Sequence, residues 1–295
     1  MNQTMNQTIN KTSNQTFRAT VAIFCLGLCL LTANRLSAQI LIKDDFSLRG
    51  DGSLTGAAPS NVHPVGSVWS AGNNTGGLYT TTSFGDGAPS AWGQSQNSGS
   101  VSLGDLNSLP TNLLTISASI GMEQLGGGPV GSADGGRGLG LGFFKNATGG
   151  QFSQAFFTGL VLDTAGRLNF VHDPNASGFF DSGSLLKTAV AYGGTFNSTA
   201  WYDLSYKINT ITGAISDITL EGSSADYSSL ASGVNLFTAA SGNIQHAGVY
   251  TSSAGGMSGY AGFDNFTVTA VPEPSAFACL AAGLVGMLAL RSRRA

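Results

Sequence analysis

The sequence predicts an all-β protein folded as a two-sheet β-sandwich, and three observations support this prediction. Apolar and polar residues alternate with period two, most regularly over Leu114–Met122, as in a strand buried on one face. Such stretches are short, recur some nine or more times, and are separated by turns rich in glycine. Only two glutamates, Glu123 and Glu221, occur in residues 39–270, where Gly, Ser, Thr and Asn abound. Many short strands at fairly regular spacing are typical of two packed sheets.

The strands of the first half follow in order. Ile40–Phe46 predicts the first strand, and the turn-rich segment 47–67 comes after it. Val68–Ala71 and Gly77–Ser83 are the next extended stretches. Beyond Leu114–Met122, apolar side chains alternate with glycines, which predicts another strand; these side chains are Leu139, Leu141 and Phe143.

The second half begins with a predicted hairpin. Phe156–Leu162 and Leu168–Val171 flank the turn Asp163–Gly166. A second alternating strand follows, in which polar residues Asp203, Ser205 and Lys207 interleave with Tyr202, Leu204, Tyr206 and Ile208. A turn at Asn209–Gly213 leads into Ala214–Glu221, and a last strand contains Phe266 and Val268.

Three phrases of this body resemble one group of proteins. They are DDFS at its start, AWYDLSYKINTITG in its later half and GFDNFTVT at its end. They are similar to the concanavalin A-like, or laminin-G-like, jelly roll of bacterial surface proteins. The resemblance implies a jelly-roll β-sandwich over residues 39–270.

The N-terminal segment has the layout of a secretory signal peptide. Met1–Thr20 is polar and carries Lys11 and Arg18 as its only charges, and the eleven apolar residues Val21–Leu31 follow. Cleavage after Ala38 would leave residues 39–270 as the exported body, with Ala33 as the alternative site. Translation starts at Met1 or at Met5. The first domain boundary is therefore predicted as 1–38.

The C-terminal segment 271–295 combines three features in sequence. Pro272, Glu273 and Pro274 precede the uncharged run Ser275–Leu290, which predicts a single transmembrane helix of about 24 Å. That is short for a hydrocarbon core of about 30 Å, so the helix is a marginal anchor. A basic cluster closes the chain and favours a cytoplasmic location for that end; it contains Arg291, Arg293 and Arg294.

This order of features is similar to the PEP-CTERM sorting signal of Gram-negative bacteria. The resemblance implies recognition by an exosortase, a membrane-embedded cysteine transpeptidase, followed by removal of the tail. It also implies that Pro272, Glu273 and Pro274 form the recognition tripeptide and that Arg291, Arg293 and Arg294 are the retention charges. The expected route is a transient inner-membrane stage with a periplasmic body, then the cell surface or extracellular space.

Charge and cysteine content limit the functions and the stabilising bonds that the body can have. Residues 39–270 hold 15 acidic and seven basic side chains, a net charge of −8, which argues against nucleic-acid binding. All three cysteines, Cys25, Cys29 and Cys279, lie in the terminal segments. The exported body must therefore rely on its core rather than on disulfides.

No arrangement of catalytic residues is recognisable, so we expect no enzymatic activity. Glucanases of the jelly-roll type use a strand with Glu-x-Asp-x-x-Glu to place two carboxylates on one face, and neither Glu123 nor Glu221 begins such a pattern. The sequence G-x-S-x-G is absent, and His63, His172 and His246 are scattered.

Two ligand sites are candidates. Asp44, Asp45 and Asp264 lie on the predicted first and last strands, which are neighbours in many jelly rolls, so their oxygens are candidate calcium ligands. No other cofactor is expected. Trp69, Tyr79 and Trp92 lie near amide side chains, and aromatic faces beside amides are typical of sugar binding. The alternative for the first site is that the aspartates are solvated turn residues. The alternative for the second is that the tryptophans fill the core.

The leading hypothesis is an exported, non-enzymatic surface or extracellular-matrix protein that works beside exopolysaccharide in a biofilm. The alternative is a carbohydrate-binding module that uses the aromatic loops. A glycan hydrolase with an unrecognised site is the third reading.

Overall fold

The computed structural model describes the body of the protein in twelve stretches. They are residues 38–47, 52–62, 66–73, 78–81, 90–94, 97–109, 111–121, 138–145, 157–172, 189–231, 245–252 and 260–271. Gln39–Val271 forms one compact unit. The predicted signal peptide, the tripeptide Pro272–Pro274 and the predicted membrane helix 275–290 lie outside the described residues.

The regular secondary structure of the described residues is almost entirely β. In chain order the strands are β1 (Gln39–Asp44), β2 (Gly52–Ser53), β3 (Asn61–Val62), β4 (Ser70–Asn73), β5 (Leu78–Thr81), β6 (Ser90–Gln94), β7 (Asn97–Ser102), β8 (Leu113–Gly121), β9 (Gly138–Phe144), β10 (Phe157–Asp163), β11 (Arg167–His172), β12 (Val190–Ala191), β13 (Trp201–Asn209), β14 (Ile215–Leu220), β15 (His246–Ser252) and β16 (Tyr260–Ala270). A 3₁₀ turn spans Leu106–Ser108, and the short helix α1 spans Ser228–Ala231. In the stretches given above, no helix is long and apolar enough to cross a membrane.

The strands form two antiparallel sheets. Sheet I has the order β14-β13-β8-β16-β6-β5-β2, and β1 pairs with β16 and β3. Sheet II has the order β12-β11-β10-β9-β15-β7-β4. The predicted neighbourhood of the first and last strands is confirmed, because Asp44 of β1 pairs with Phe266 of β16. The predicted hairpin is also confirmed, with β10 and β11 joined by the turn at Asp163–Gly166.

The core lies between the two sheets. On β8 the side chains alternate between buried and half-buried, and β13 repeats this pattern, as the sequence predicts. Tyr206 of β13 crosses the layer: its hydroxyl donates a 3.0 Å hydrogen bond to the carbonyl of Leu141 on β9. Its ring meets Phe143 edge-on with centroids 6.4 Å apart. Burial raises the pKa of the Tyr206 hydroxyl well above its ordinary value, so it remains a donor.

Sheet II differs from the simple one-sided pattern. Every residue of β9 and β10 is buried, so both faces of these strands are covered. On the face away from the main core, a second apolar cluster packs against the glycines of β9; it contains Phe144, Phe157, Val161, Val171 and Tyr250. The glycines leave room for these rings, since a Cβ at Gly140 would lie 2.8 Å from the Phe157 ring.

The strands of both sheets end at the same two poles of the sandwich. Residues 192–200 join β12 to β13, and the Tyr192 hydroxyl donates to the Glu221 carbonyl at 2.9 Å. The Ala191 end of sheet II therefore lies at the same pole as the Trp201 end of sheet I. At the opposite pole lie the start of β8, the end of β13 and the end of β16, all in sheet I. There the chain leaves the body at Val271, and we call this end the exit pole.

Candidate functional site

Asp44, a candidate calcium ligand, is a buried hydrogen-bond acceptor. Its side chain is fully buried on β1. The indole N–H of Trp69 donates to Asp44 Oδ2 at 2.7 Å, and the backbone N–H of Phe46 donates to Oδ1 at 3.0 Å. The hydroxyl of Ser60 lies 3.2 Å from Oδ1. These bonds compensate the cost of burying the carboxylate.

Asp45, another candidate calcium ligand, shares a hydrogen-bond partner with Asp44, because the Ser60 hydroxyl lies 3.2 Å from the Oδ1 atoms of both. Asp45 is half-buried at the surface, where the side-chain hydroxyl and then the backbone N–H of Ser47 donate to it and hold its pKa below its ordinary value. Asp264 lies on β16 opposite Ser119 of β8, and its Oδ1 accepts the backbone N–H of Asn265 at 2.7 Å. Within the described stretches there is no group of three or more His, Cys, Asp or Glu side chains that could hold a metal ion.

Trp69, a candidate sugar contact, instead fills the core, which is the alternative that the sequence analysis gave for it. Its side chain is fully buried. The ring packs against Phe266 with centroids 5.3 Å apart and against Phe46 at 6.0 Å. Both of its faces are therefore unavailable to a ligand. The reason is the position of Trp69 just before β4 of sheet II, from which it reaches Asp44 and Phe266 of sheet I.

Tyr79 and Trp92, the other two candidate sugar contacts, are paired by the sheet. They lie directly opposite each other on β5 and β6. Trp92 also lies opposite Gly262 of β16, and Gly262 lies opposite Gly121 of β8. Trp201 of β13 ends this register row. We call these five residues the aromatic row; the side chains of Tyr79 and Trp92 are outside the described part of the structure.

The neighbouring register row identifies the face on which the aromatic row lies. That neighbouring row is buried throughout; it contains Thr80, Ala91, Phe263, Ile120 and Tyr202. Because successive strand residues occupy opposite faces, the aromatic row belongs to the outer face of sheet I.

Trp201 also lies on this face, although it is not among the sugar contacts predicted from the sequence. Its half-buried indole lies against the backbone of β8, because a Cβ at Gly121 would be 2.8 Å from the ring. A signal was present in the sequence. Trp201 stands in phase with Asp203, Ser205 and Lys207, the polar side of β13, and a tryptophan in that phase is placed on the outer face.

Polar side chains continue the outer face beside the aromatic row. The next register row contains Asp203, Ser119 and Asp264, and the Ser119 hydroxyl donates a short hydrogen bond to Asp203 Oδ1. The row after it carries a hydroxyl pair, Ser205 and Thr219, whose oxygens are 2.7 Å apart. A half-buried ring such as that of Trp201, beside carboxylates and hydroxyls, can bind a polar ligand that also has apolar faces.

The end of the body is fixed close to the predicted sorting tripeptide. The backbone N–H of Val271 donates to the Leu113 carbonyl at 2.8 Å, and the Thr111 hydroxyl donates to the Val271 carbonyl at 2.6 Å. The same hydroxyl accepts the N–H of Leu113 at 3.1 Å. We call these bonds the Val271 clamp. The residues Pro272, Glu273 and Pro274, and the charges Arg291, Arg293 and Arg294, lie outside the described residues.

Comparison with known proteins identifies the C-terminal segment. Residues 270–294 match the PEP-CTERM protein-sorting motif. The sorting signal that the order of Pro-Glu-Pro, apolar run and terminal arginines predicts is therefore confirmed. No curated protein matches the sequence.

Solved structures similar to the body include proteins that act on or bind carbohydrates. A mutant of the alginate lyase Aly36B in complex with alginate trisaccharide has a TM-score of 0.42 and 11% identity, and covers 79% of this chain and 98% of its own. The cellulose induced protein Cip1 has a TM-score of 0.38 and 14% identity, over 68% and 90%. The ligand-binding domain of botulinum neurotoxin serotype D, with N-acetylneuraminic acid, has a TM-score of 0.44 and 11% identity, over 81% and 51%. Because the identities and TM-scores are low, the ligands and activities of these proteins are not assigned to this chain.

Proposed function

We propose that the protein is an exported, exosortase-sorted component of the cell surface or extracellular matrix, with a non-enzymatic role beside exopolysaccharide. The observation that carries this proposal is the PEP-CTERM match over residues 270–294. The signal-like segment 1–38 supports it, because a sorted protein must first be exported. The two-sheet body supports the expectation of a jelly-roll surface domain.

The chemistry of the tail suits transient anchoring followed by processing. The apolar run Ser275–Leu290 is short for a bilayer, and the terminal arginines hold its end in the cytoplasm. Pro272 and Pro274 stand on both sides of Glu273, and residues before proline avoid the helical region, so the tripeptide stays extended. The Glu273 carboxylate is then exposed to a recognition pocket just outside the bilayer.

Replacing Glu273 tests this proposal. In cells that contain the exosortase, we expect the mature protein to end at or near Pro272–Pro274. We expect Glu273→Ala and Glu273→Gln to reduce processing at least about tenfold, since a desolvated charge contact contributes a few kcal/mol. Intact-mass spectrometry of the surface-released protein measures both.

Glu221→Gln is the matched control, because it removes a body carboxylate and leaves the tail unchanged. It should be processed like the wild type. A mature protein that retains Leu290 would show that the tail is a plain membrane anchor. A Glu273→Gln variant processed at the normal rate would show that the Glu273 carboxylate is not what the exosortase recognises.

The second candidate function is carbohydrate binding by the outer face of sheet I. The specific observation in its favour is the aromatic row, in which Tyr79 and Trp92 pair across β5 and β6 and Trp201 lies in the same row. The neighbouring Asp203 and Ser119 supply hydrogen-bonding groups. Sugar rings present apolar C–H faces and hydroxyls together, so such a surface matches them.

A glycan array followed by calorimetry tests this candidate. Trp201→Ala is expected to weaken polysaccharide binding about tenfold, because the loss of one aromatic contact costs roughly 1–2 kcal/mol of binding free energy. Ile211→Ala, on the exit pole, is the control and should bind normally. Equal affinity of both variants, or no binding to any glycan, would reject this site. A turnover assay on the same glycans tests the hydrolase reading.

A further inference from the structure

The exit pole carries exposed apolar side chains. Three large apolar side chains are exposed in the described stretches: Ile211 at 56%, Val68 at 44% and Ile40 at 41%. Scattered exposed apolar residues need no explanation, but all three of these lie at the exit pole.

The position of each residue follows from its neighbours. Ile211 lies in the turn after β13, and the preceding Thr210 donates its N–H to the Asn112 carbonyl at 2.7 Å. Ile40 is the second residue of β1 and pairs with Thr269, beside the last residue of β16.

Val68 reaches the same pole from sheet II. It precedes β4, in which Ser70 pairs with Ser100 of β7. Since β4 and β7 are antiparallel, Val68 lies beside the Ser102 end of β7, and residues 103–112 join that end to β8. The pole therefore carries exposed apolar side chains on both sheets.

The pole also has few charges where sheet I ends. The turn Thr210–Ala214 and the segment Thr111–Leu113 contain none. Asp105, on the connection from β7, accepts hydrogen bonds from the backbone and side chain of Asn107 within its own turn. The uncharged end of sheet I, with its apolar tips, is compatible with the interfacial region of a bilayer, which takes up such side chains readily. On sheet II, Lys145 follows Phe144 at the same pole and adds one positive charge there.

The length of chain beyond the clamp fixes how far this pole can lie from a membrane. Because β16 lies in the centre of sheet I and the Val271 clamp fixes its end, the chain stays folded up to Val271. Only Pro272, Glu273 and Pro274 separate Val271 from the apolar run. Three residues span at most about 10 Å even when fully extended. The interfacial layer of one leaflet is itself about 5–8 Å thick.

We propose that the exit pole is a membrane-facing surface, on which Ile211, Val68 and Ile40 contact the bilayer interface while the apolar tail is inserted. This inference rests on the proposed function only for the insertion of the tail. It has a consequence for processing: the transpeptidase must reach Glu273 in the narrow space between the folded body and the lipid.

Fluorescent labels on single cysteines test the proposal in the full chain. Ile211→Cys, Val68→Cys and the control Ser198→Cys are each made with Cys25, Cys29 and Cys279 replaced by Ser, and each is labelled with an environment-sensitive dye. Ser198 is exposed in the segment 192–200, at the pole opposite Val271. Two apolar positions are labelled, so that poor folding of one variant does not decide the outcome.

The labelled chains are reconstituted without exosortase into vesicles of phosphatidylcholine and phosphatidylglycerol, some with a nitroxide near the headgroup. At positions 211 and 68 we expect blue-shifted emission and at least about twofold stronger quenching than at 198, since an interfacial contact lies within about 5–10 Å of the acyl boundary. Equal quenching at 198 and 211 would overturn the proposal.

Two further outcomes separate this proposal from its premise. If the chain fails to float with the vesicles, the tail does not insert, and both this surface and the transient membrane stage are rejected. If the chain floats but position 211 changes environment only when exosortase is present, the pole contacts the enzyme instead of lipid. In that case the membrane-facing surface is rejected and the sorting function stands.

Discussion

Replacing Asp44 with alanine is expected to lower the free energy of unfolding of the body by about 3–5 kcal/mol. The carboxylate is fully buried and accepts the Trp69 indole N–H and the Phe46 backbone N–H. Without it, both donors are buried and unsatisfied, and each such donor costs about 1–3 kcal/mol. Urea denaturation of residues 39–271, followed by tryptophan fluorescence, measures the change.

The adjacent carboxylate provides the matched control. Asp45→Ala also removes an acidic group that accepts hydrogen bonds, but from a half-buried site at the surface, and should cost less than about 1 kcal/mol. Trp69→Phe keeps the ring and removes the donor, so a double-mutant cycle with Asp44→Ala isolates the shared bond. Equal destabilisation by Asp44→Ala and Asp45→Ala would contradict the buried arrangement.

Replacing Gly248 with alanine is expected to destabilise the body by about 3 kcal/mol or more, or to prevent folding. A Cβ at this position of β15 would overlap the carbonyl oxygen of Gly99 on β7 and lie 2.7 Å from the Cα of Ser100. These are backbone atoms of a paired strand, which cannot move without breaking the ladder. Soluble yield and thermal unfolding by circular dichroism measure the effect.

Gly52→Ala is the control for this change. Gly52 also lies in a strand, but a Cβ there would meet nothing within 4 Å. Alanine at this site should be neutral or stabilise by about 0.4–1 kcal/mol through the lower entropy of the unfolded chain. A body that tolerates Gly248→Ala as well as Gly52→Ala would show that β15 and β7 are not packed as described.

The difference between these two glycines shows a limit of sequence reasoning. Both appear in the sequence as glycines of a turn-rich β protein, and nothing local separates them. Their roles depend on how closely another backbone approaches, which is a property of strand pairing between distant segments. The burial of both faces of β9 was hidden for the same reason, because alternating glycines resemble a strand with one apolar face.

Trp69 illustrates the same limit in the candidate site. Its loop-rich surroundings and nearby amides left both a sugar contact and a place in the core open, and the structure places it between Asp44 and Phe266. The signal for Trp201 was local, since its phase with Asp203 could be read from the alternation of β13. Local phase determines the face of a strand, but only the packing of the sheets determines whether a loop tryptophan enters the core.

The features that depend on short-range patterns could be predicted from the amino-acid sequence. Period-two alternation determined the faces of β8 and β13, a short turn determined the β10–β11 hairpin, and a continuous C-terminal signal identified the sorting segment. The tertiary structure alone decided which distant residues meet: Tyr79 with Trp92 and Gly121 with Trp201 in one row, and Thr111 with Val271 at the exit pole. The physical reason is that register and sheet packing depend on the free energy of the whole core, to which residues far apart in the chain contribute together.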